Sequence, residues 1–463
     1  MNLLRALRLE PAATLAFVGA GGKTTALFQL AREMNGPVIV TATSHLGIWQ
    51  IPLADRHLIA ETPEALETLE HGLNGVILVT GPLEQDRTQP VSRSVLNWLH
   101  QFCGYYNLPL LIEADGARQH PLKAPAAHEP PIPKFVQNVV VVAGLSALGK
   151  PLTEEVVHRP ELFAQLSGLQ IGEAISPEAL IRVMTHPAGG LKNIPTTARR
   201  VAFLNQADTP DLQAIGGKMA GLLLTDFDAV LVGSLQPDNL QLSNLQTFER
   251  TAGIVLAAGA STRFGQSKQL LDWRGQPFVR AVAQTALTAG LNPVIVVTGA
   301  NAEQVEAAVR DLPVKIVRNV EWQEGQASSI RAGVTALMRP LRHSVIPPPF
   351  SANFSGKWGR TGGGIFLLAD QPQMTVNILQ ALTELHSQEL PDILAPMVLD
   401  QRANPVLFDR RTFPDMLELK GDVGGRGIFH KHRVVYLPWH DDRLLLDVDT
   451  PEHYQRLVED ETL

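Results

Sequence analysis

Residues 253–268 read Gly-Ile-Val-Leu-Ala-Ala-Gly-Ala-Ser-Thr-Arg-Phe-Gly-Gln-Ser-Lys. The first five, Gly253 to Ala257, are an apolar run typical of a buried strand, and the small residues after them predict a loop. A loop of small residues lets backbone N–H groups approach an anion closely, and the cations Arg263 and Lys268 add positive charge. This stretch therefore predicts a strand that leads into a polyphosphate-binding loop.

Length and composition indicate a globular protein with more than one domain. The chain has 463 residues, and a chain of this length usually forms roughly two to four domains. Hydrophobic residues make up 45% and charged residues 18%, which is enough apolar material for separate cores. The formal net charge of -7 argues against a general nucleic-acid binder, because such proteins usually carry a basic surplus.

The cysteine content and the N-terminal sequence predict a cytoplasmic protein. Cys103 is the single cysteine, so neither an intramolecular disulfide nor a thiolate metal cluster can form. Arg5, Arg8 and Glu10 interrupt the N-terminal segment, which therefore does not resemble a signal peptide. No run reaches the ~18 apolar residues that a membrane-spanning helix needs. We accordingly expect no membrane association.

A second glycine-rich segment lies near the N-terminus. The predicted strand Thr14–Val18 is followed at once by Gly-Ala-Gly-Gly-Lys-Thr-Thr and then by a predicted helix. A strand, a glycine-rich turn and Lys-Thr before a helix are the features of a phosphate site at a helix N-terminus. Phe17 stands where the usual P-loop has a glycine, so the loop is shorter and is similar to that of Mur-type ligases. A plain strand-to-helix turn is the alternative. The candidate nucleotide-binding residues are Gly19, Gly21, Gly22, Lys23, Thr24 and Thr25.

Two carboxylates end the predicted strand 109–115. Glu113 and Asp115 lie on one face of an extended chain, and carboxylates at such strand ends commonly hold a magnesium nucleotide. Asp115 is the candidate metal ligand of the first domain, with a solvated strand end as the alternative. Further on, residues 205–208 read Asn-Gln-Ala-Asp, which is similar to a guanine-reading motif with Gln206 in place of its lysine. The choice of base therefore stays open.

A further acid follows an apolar strand predicted for residues 364–370 in the second half. Asp370 stands at the tip of this strand, directly before Gln-Pro, and is a candidate Mg²⁺ ligand beside the 253–268 loop. Asp447 and Asp449 are predicted to share one face of a strand within residues 444–452. Either could complete a metal site with Asp370.

The alternation of strands and helices predicts an α/β protein with two three-layer αβα domains. Residues 1–235 form a P-loop-like domain, residues 236–250 a polar connector, and residues 251–463 a Rossmann-like domain with a mainly parallel sheet. Prolines and glycines between residues 338 and 364 predict a loop insertion, disordered or loosely ordered, in the second domain.

The first half resembles the YqeC family over about residues 8–235. The resemblance lies in three blocks: Gly-Ala-Gly-Gly-Lys-Thr-Thr, then Glu-Ala-Asp-Gly-Ala-Arg with Pro-Leu-Lys-Ala-Pro-Ala-Ala-His-Glu-Pro, and Gly-Leu-Ser-Ala-Leu-Gly-Lys-Pro-Leu with His-Arg-Pro-Glu. Members of this family are assigned as accessory proteins of selenium-dependent molybdenum hydroxylases. The resemblance implies a nucleotide bound in this domain during the maturation of a client molybdenum hydroxylase, with that enzyme or its chaperone as partner.

The second half, about residues 250–463, resembles the molybdenum cofactor nucleotidyltransferases. Leu-Ala-Ala-Gly-x-Ser-x-Arg-Phe-Gly-x-x-Lys, Asn-x-x-Trp-x-x-Gly-x-x-Ser-Ser, Asp-Gln-Pro, Asn-Pro-Val, Gly-Asp-x-Gly-x-Arg and Asp-x-Asp-Thr-Pro-Glu occur in the family's order. The guanylyltransferase branch tends to have Leu-Ala-Gly-Gly at the loop, whereas this chain has alanine at position 258. The chain is thus more similar to the cytidylyltransferase, MocA-like, branch.

This second resemblance implies transfer of CMP from CTP to molybdenum-bound molybdopterin, with release of pyrophosphate. It assigns catalysis to Arg263, Lys268 and Asp370, and Mg²⁺ binding to Asp370 with Asp449. The implied nucleotide-binding residues are Leu256, Ala257, Ala258, Gly259, Ala260, Ser261, Asn319, Ser328 and Ser329. Two alternatives remain: transfer from GTP or to a sugar phosphate, and a maturation scaffold that binds nucleotide without catalysis.

Overall fold

A computed structural model of the chain describes residues 1–235, 244–260, 264, 266–338 and 361–459. The chain divides into two compact units, Met1–Phe248 and Glu249–Leu463. Across these described residues, no helix is both long enough and apolar enough to cross a bilayer.

The first unit is built around a parallel sheet. Strands β12, β11, β9, β1, β7, β2, β4 and β3 pair in this order, and each of these pairs is parallel. The strands of this unit are β1 (Thr14–Gly19), β2 (Val38–Ala42), β3 (Arg56–Ile59), β4 (Val76–Thr80), β5 (Leu83–Glu84), β6 (Arg87–Thr88), β7 (Leu110–Glu113), β8 (Leu122–Lys123), β9 (Asn138–Gly144), β10 (Val157–His158), β11 (Arg199–Asn205) and β12 (Ala229–Val232).

Helices cover both faces of this sheet. Leu15 and Phe17 of β1 belong to one buried cluster, whereas Ala16 and Val18 belong to the cluster on the other face, as the two-residue period of a strand requires. Helices α1 and α2 contribute to the first cluster and α3 to α6 to the second. Their bounds are α1 (Leu3–Leu7), α2 (Lys23–Glu33), α3 (Arg93–Tyr106), α4 (Pro160–Ser167), α5 (Pro177–Thr185) and α6 (Pro210–Leu223).

Cys103 lies on the buried face of α3. Burial raises the pKa of its thiol to about 12, which keeps the side chain neutral and apolar in character.

The second unit has a mixed sheet. Strands β17, β16, β13 and β18 are parallel, β21 pairs antiparallel with β18 and β19, and β22 is parallel to β19. The strands are β13 (Gln246–Ala257), β14 (Asp272–Trp273), β15 (Gln276–Pro277), β16 (Val294–Thr298), β17 (Lys315–Arg318), β18 (Thr361–Leu368), β19 (Ile393–Val398), β20 (Gln401–Arg402), β21 (Val406–Asp409) and β22 (Val434–Pro438).

Two clusters sandwich this sheet as well. Val255 packs with helices α7, α8 and α10 on one face, and Ile254 packs with α9 and α11 on the other. The helices are α7 (Phe278–Thr288), α8 (Ala302–Val309), α9 (Gln326–Met338), α10 (Val376–Glu389), α11 (Phe413–Leu417) and α12 (Pro451–Glu459). The predicted α/β class, with helices on both faces of mainly parallel sheets, is confirmed.

Two predicted irregular segments are partly strand. Residues 361–364, the end of the predicted 338–364 insertion, belong to β18. A Cβ atom at position 363 would lie 2.6 Å from the Phe408 carbonyl oxygen. The glycine run therefore marks a close approach between backbones rather than a loop. Similarly, β13 already begins at Gln246, inside the predicted 236–250 connector. Residues 236–243 and 339–360 lie outside the described residues.

The strand predicted for residues 444–452 is wrong. Asp442–Leu445 forms a 3₁₀ turn, residues 446–449 are irregular, and α12 starts at Pro451. The N–H of Asp449 donates to the carbonyl of Asp447 at 3.1 Å, so a tight local bond replaces the extended chain that the alternating acids suggested.

Helix α6 provides a test of packing against the sheet, because two of its three glycines, Gly216 and Gly221, lie in different surroundings. A Cβ atom at Gly216 would lie 2.5 Å from Val232 Cγ1, whereas one at Gly221 meets no atom within 4 Å. We expect Gly216→Ala to lower the free energy of unfolding by about 1–3 kcal/mol, because a stiff valine must move. Thermal or denaturant unfolding of the full chain measures this change.

Gly221→Ala is the matched control for the same helix. It gains helix propensity without a clash, so stability should rise by about 0.5–1 kcal/mol. Equal effects of the two substitutions would contradict the packing of α6 on β12.

Candidate nucleotide-binding sites

In the second unit, strand register brings the glycine-rich loop and Asp370 to the same edge of the sheet. Leu256 of β13 pairs with Leu368 of β18 in parallel. Two residues further along, Ala258 and Asp370 therefore leave the sheet side by side. This is the carboxyl edge, where open α/β sheets usually bind ligands.

One cleft gathers most of the predicted site residues. Those that line it are Leu256, Ala258, Gly259, Ala260, Lys268, Ser329 and Asp370. Predicted residues Ser261 and Arg263 lie outside the described residues, so their placement stays a prediction. Ala257 does not line the cleft, because it is 1% exposed and packs in the core below β13.

The backbone of the loop is fixed through its carbonyl groups. The Ala258 oxygen accepts from the N–H of Ala300 at 3.1 Å, and the Gly259 oxygen accepts from Gln269 Nε2 at 2.8 Å. Within the described residues, the N–H groups of Gly259 and Ala260 have no protein acceptor. Oriented, unengaged N–H groups of this kind can bind phosphate oxygens.

The charged side chains of the cleft are coupled to one another. Lys268 Nζ lies 2.6 Å from Asp449 Oδ1, and this pair stands close to Asp370. Burial raises the pKa of Asp370, the Lys268 ammonium opposes that rise, and Asp447 and Asp449 add to it. The negative charges of Asp447 and Asp449 thus act on Asp370 from beside the cleft, while Asp370 and Lys268 themselves line it.

The donors near Asp370 suit a hard divalent cation. Mg²⁺ binds one or two carboxylates together with phosphate and water oxygens, so a site that relies on substrate needs few protein ligands. In keeping with this, no group of three or more His, Cys, Asp or Glu side chains converges as a metal site among the described residues. Asp370 and Asp449 are the carboxylates that fit such a sparse site.

Three predicted polar residues form a buried hydrogen-bonded group. Asn319 Nδ2 donates to Ser328 Oγ at 2.8 Å and to Ser329 Oγ at 3.1 Å, and all three side chains are buried. Ser329 reaches the cleft, whereas Asn319 and Ser328 lie behind it. Asn319 and Ser328 are thus placed to hold the start of α9.

The far wall of the cleft contains residues that were not predicted as site residues. Trp322, Gln323, Glu324, Gly325, Gln326 and Asp422 line it, together with Gln269 of the loop side. Asp422 Oδ1 accepts from the N–H of Gln326 at 3.3 Å, which joins two turns. The Asn-x-x-Trp-x-x-Gly and Gly-Asp-x-Gly-x-Arg motifs contained the signal, but they did not show which members face the cleft.

In the first unit, the glycine-rich turn engages most of its own early amides. The N–H groups of Gly19, Ala20 and Gly21 donate to Asp115 Oδ2 at 3.1 Å, to the Val142 carbonyl at 2.9 Å and to the His120 carbonyl at 3.0 Å. Gly19 and Gly21 shape the turn with φ of 95° and 84°, and their predicted role in phosphate binding stays a prediction. The backbone N–H groups of residues 22–25, at the start of α2, have no acceptor among the described residues.

Lys23 and the two strand-end carboxylates lie beside this turn. Lys23 is 4% exposed, and its Nζ donates to the Gly19 carbonyl at 2.7 Å and lies 3.3 Å from Asp115 Oδ1. Asp115 also pairs with Lys123 at 2.9 Å. Thr24 Oγ1 donates instead to Glu113 Oε2 at 2.9 Å. Burial raises the pKa of Glu113, and the positive charge of Lys23 opposes that rise.

The Asn-Gln-Ala-Asp segment supports the same turn. Asn205 is buried, and its Nδ2 donates to the Gly21 carbonyl at 2.7 Å, while its Oδ1 accepts from the N–H of Leu235 at 3.2 Å. A Cβ at Gly22 would lie 2.5 Å from Asn205 Nδ2, so glycine is needed there. Asp208 is exposed and accepts a hydrogen bond from Ser234 Oγ.

Two family models match the chain, one within each of its two compact units. Residues 15–161 match the family model of the YqeC protein, and residues 253–435 match that of the MobA-like NTP transferase domain. The uncharacterised protein YqeC of Escherichia coli is 32% identical over 237 residues, which cover 48% of this chain and 87% of that protein.

Two further relatives carry enzyme names. Nicotine blue oxidoreductase of Paenarthrobacter nicotinovorans is 31% identical over 221 residues, covering 44% of this chain and 95% of that protein. A protein of Bacillus cytotoxicus named as a probable molybdenum cofactor guanylyltransferase is 30% identical over 109 residues, covering 23% of this chain and 52% of that protein. The chain belongs to the YqeC family and also carries a MobA-like NTP transferase domain.

Proposed function

We propose that the second unit is a molybdenum cofactor cytidylyltransferase, which transfers CMP from CTP to molybdenum-bound molybdopterin and releases pyrophosphate. The observation that carries this proposal is the cleft where the Gly259–Ala260 loop, Lys268 and Asp370 meet. Backbone amides, a cation and a carboxylate at one sheet edge match the needs of phosphoryl-type transfer, in which positioning and charge neutralisation supply most of the acceleration.

Each residue has a distinct part in the proposed reaction. The terminal phosphate of the pterin attacks the α-phosphorus of CTP, and the bond to pyrophosphate breaks. The Gly259 and Ala260 amides hold the triphosphate, and Lys268 neutralises the leaving pyrophosphate after exchanging its partner Asp449 for phosphate oxygens. Arg263 is proposed to assist Lys268 in neutralising the pyrophosphate. Asp370 and Asp449 are the residues that would hold Mg²⁺, which would supply charge neutralisation to the phosphates when bound.

The choice of CTP rests on the loop sequence. Alanine at position 258 is the feature by which this chain resembles the cytidylyltransferase branch, whereas a relative is named for guanylyl transfer. Transfer from GTP, or to a sugar phosphate, is thus the nearest alternative.

The relative named as an oxidoreductase favours a second candidate function, a redox reaction in the same cleft. Release of pyrophosphate distinguishes nucleotidyl transfer from redox chemistry.

For the first unit, we propose nucleotide binding at Gly22–Thr25 in support of the maturation of a molybdenum hydroxylase, with that client enzyme or its chaperone as partner. The amides at the start of α2, which meet no acceptor among the residues that the structure describes, and the buried Lys23 support phosphate binding. A scaffold that binds nucleotide without hydrolysis is the alternative for this unit. NTP hydrolysis by the full chain, lost on Lys23→Ala, would favour catalysis over a passive scaffold.

Turnover depends on the two charged residues of the cleft. We expect Asp370→Asn and Lys268→Ala each to lower pyrophosphate release by about 10²–10³-fold, because each removes charge stabilisation from the transition state. The assay contains CTP and molybdenum cofactor, and omission of the cofactor should remove the signal. Asp400→Asn, an exposed carboxylate away from the cleft, is the matched control and should retain activity. Full activity of Asp370→Asn would contradict the assignment.

Base selection depends on the side chain at position 258. We expect Ala258→Gly to lower the ratio of kcat/KM for CTP to that for GTP by about tenfold, the usual effect of one small apolar group on substrate choice. Ala260→Gly in the same loop is the control, and it should change both rates alike and leave the ratio as it is. A preference for GTP in the parent protein would instead favour the guanylyl alternative.

The acid limb of the pH profile should report on Asp370. Its carboxylate form is needed for cation binding, and burial raises its pKa, so kcat/KM falls as the pH drops through that raised value. The negative charge of Asp447 adds to the rise. Asp447→Asn should therefore move the acid limb to lower pH. A shift to higher pH in this variant would be inconsistent with titration of Asp370.

A further inference from the structure

A cavity lies on the face of the first sheet opposite to α2. Val18, Val141 and Ala143 line it and belong to the buried cluster formed with α3 to α6, whereas Leu27 of α2 belongs to the cluster on the other face. The remaining walls come from the 122–130 segment and from α5 with the turn after it. The cavity is therefore separate from the anion site proposed at the start of α2.

The walls of this cavity are mainly apolar. Leu122, Pro125, Leu180, Val183 and Met184 contribute the part that comes from outside the main sheet. Water-sized molecules can place their centres in about 40 Å³ of the cavity, whereas one water needs roughly 10–15 Å³. Because apolar walls hold water poorly, the space suits a small organic molecule or one end of a larger one.

One wall of the cavity is polar, and it carries an unsatisfied acceptor. Asp115 lines the cavity, its side chain is 2% exposed, and its Oδ1 atom has no hydrogen-bond partner among the described residues. Lys23 Nζ lies 3.3 Å from this oxygen, but it directs its hydrogen bond to the Gly19 carbonyl at 2.7 Å. A buried acceptor without a donor costs free energy, so a ligand that donates to Oδ1 gains a favourable hydrogen bond.

The other atoms of this polar wall are already engaged. Asp115 Oδ2 accepts from the Gly19 N–H at 3.1 Å and lies 2.9 Å from Lys123 Nζ. Lys123 Nζ also donates to the Gly116 carbonyl at 2.7 Å and to Glu129 Oε2 at 3.1 Å, so its three protons are taken. The carboxylate is thus held in one orientation, and one of its oxygens remains to bind a ligand.

This arrangement restricts the chemistry of the ligand. An ammonium group would meet the positive charges of Lys23 and Lys123, and an anion would meet the carboxylate itself, so charge repulsion disfavours both. A carbonyl oxygen would find no spare side-chain donor on this part of the described wall, because Lys123 is fully engaged. A hydroxyl can donate its proton to Asp115 Oδ1, which makes a neutral alcohol the fitting ligand.

We propose that the cavity binds a neutral hydroxyl-bearing molecule, whose O–H donates to Asp115 Oδ1 and whose apolar part packs against Val183 and Met184. This site goes beyond the nucleotide binding proposed for the first unit. It lies on the opposite face of the sheet and needs no nucleotide, so either assignment can fail while the other stands.

Met184 allows binding to be measured from inside the cavity. The full chain, labelled with ¹³C-methyl methionine, is titrated with isopropanol and with acetone, which have similar shapes but differ in the O–H donor. We expect isopropanol to shift the Met184 methyl resonance to saturation. Acetone should bind at least about tenfold more weakly, because it cannot donate to the charged acceptor. The methyl group of Met416, buried in the second unit, is the internal control and should show no saturable shift.

Asp115→Asn is the variant whose expected effect misfolding cannot imitate. The asparagine amide can turn either its oxygen or its N–H groups toward the cavity, so it can bind an alcohol or a ketone. The preference for isopropanol over acetone should therefore disappear, while acetone still shifts the Met184 resonance. An unchanged preference in this variant would overturn the assignment.

Val183→Phe tests the apolar part of the site. The larger ring fills the cavity and should abolish the isopropanol shift, whereas Ile181→Phe, on the same helix but outside the cavity lining, should retain it. Thermal unfolding establishes that both variants are folded. Persistence of the shift in folded Val183→Phe would contradict the proposal. So would an equal response to isopropanol and acetone, or the absence of a saturable shift, in the parent protein.

Discussion

Parallel strand register is the constraint on which both candidate sites depend. In the first unit Phe17 pairs with Glu113, so that Gly19 and Asp115 follow two residues later, and the Gly19 N–H donates to the Asp115 carboxylate. In the second unit Leu256 pairs with Leu368, so that Ala258 and Asp370 leave the sheet together. A shift by one residue would turn each carboxylate to the opposite face of its sheet. The register thus ties a glycine-rich loop to an acid twice in one chain.

The two loops meet the same physical need in different ways. In the first unit the early amides donate to protein acceptors, which leaves the amides at the start of α2 for an anion, supported by the partial positive charge of a helix N-terminus. In the second unit the carbonyls of Ala258 and Gly259 are engaged by Ala300 and Gln269, whereas the Gly259 and Ala260 amides meet no acceptor in the part of the chain that the structure describes. In each loop, the hydrogen bonds that the protein makes to some backbone groups determine which N–H groups remain to bind a ligand.

The sequence allowed the fold and the centres of both sites to be predicted, because apolar runs, glycine-rich loops and strand-end acids are local signals. The loop predicted at Gly363 is wrong, because glycine is also used in a strand where another backbone lies close by. Only the fold shows that the backbone of Phe408 lies close to Gly363. The metal role predicted for Asp115 stays a prediction, and its ion pairs with Lys23 and Lys123 could not be seen in the sequence because these partners come from other segments. Trp322 and Asp422 were present in quoted motifs, but their orientation toward the cleft depends on tertiary packing.

Cys103 has a practical consequence for the study of this chain. It is the single cysteine, it is buried in α3, and its raised pKa keeps the reactive thiolate scarce at neutral pH. Maleimide-type reagents should therefore leave the native protein unmodified. A cysteine introduced at a surface position could then carry a fluorophore or spin label without prior removal of the native thiol. The burial of one small side chain thus makes distances within either unit accessible to site-directed spectroscopy.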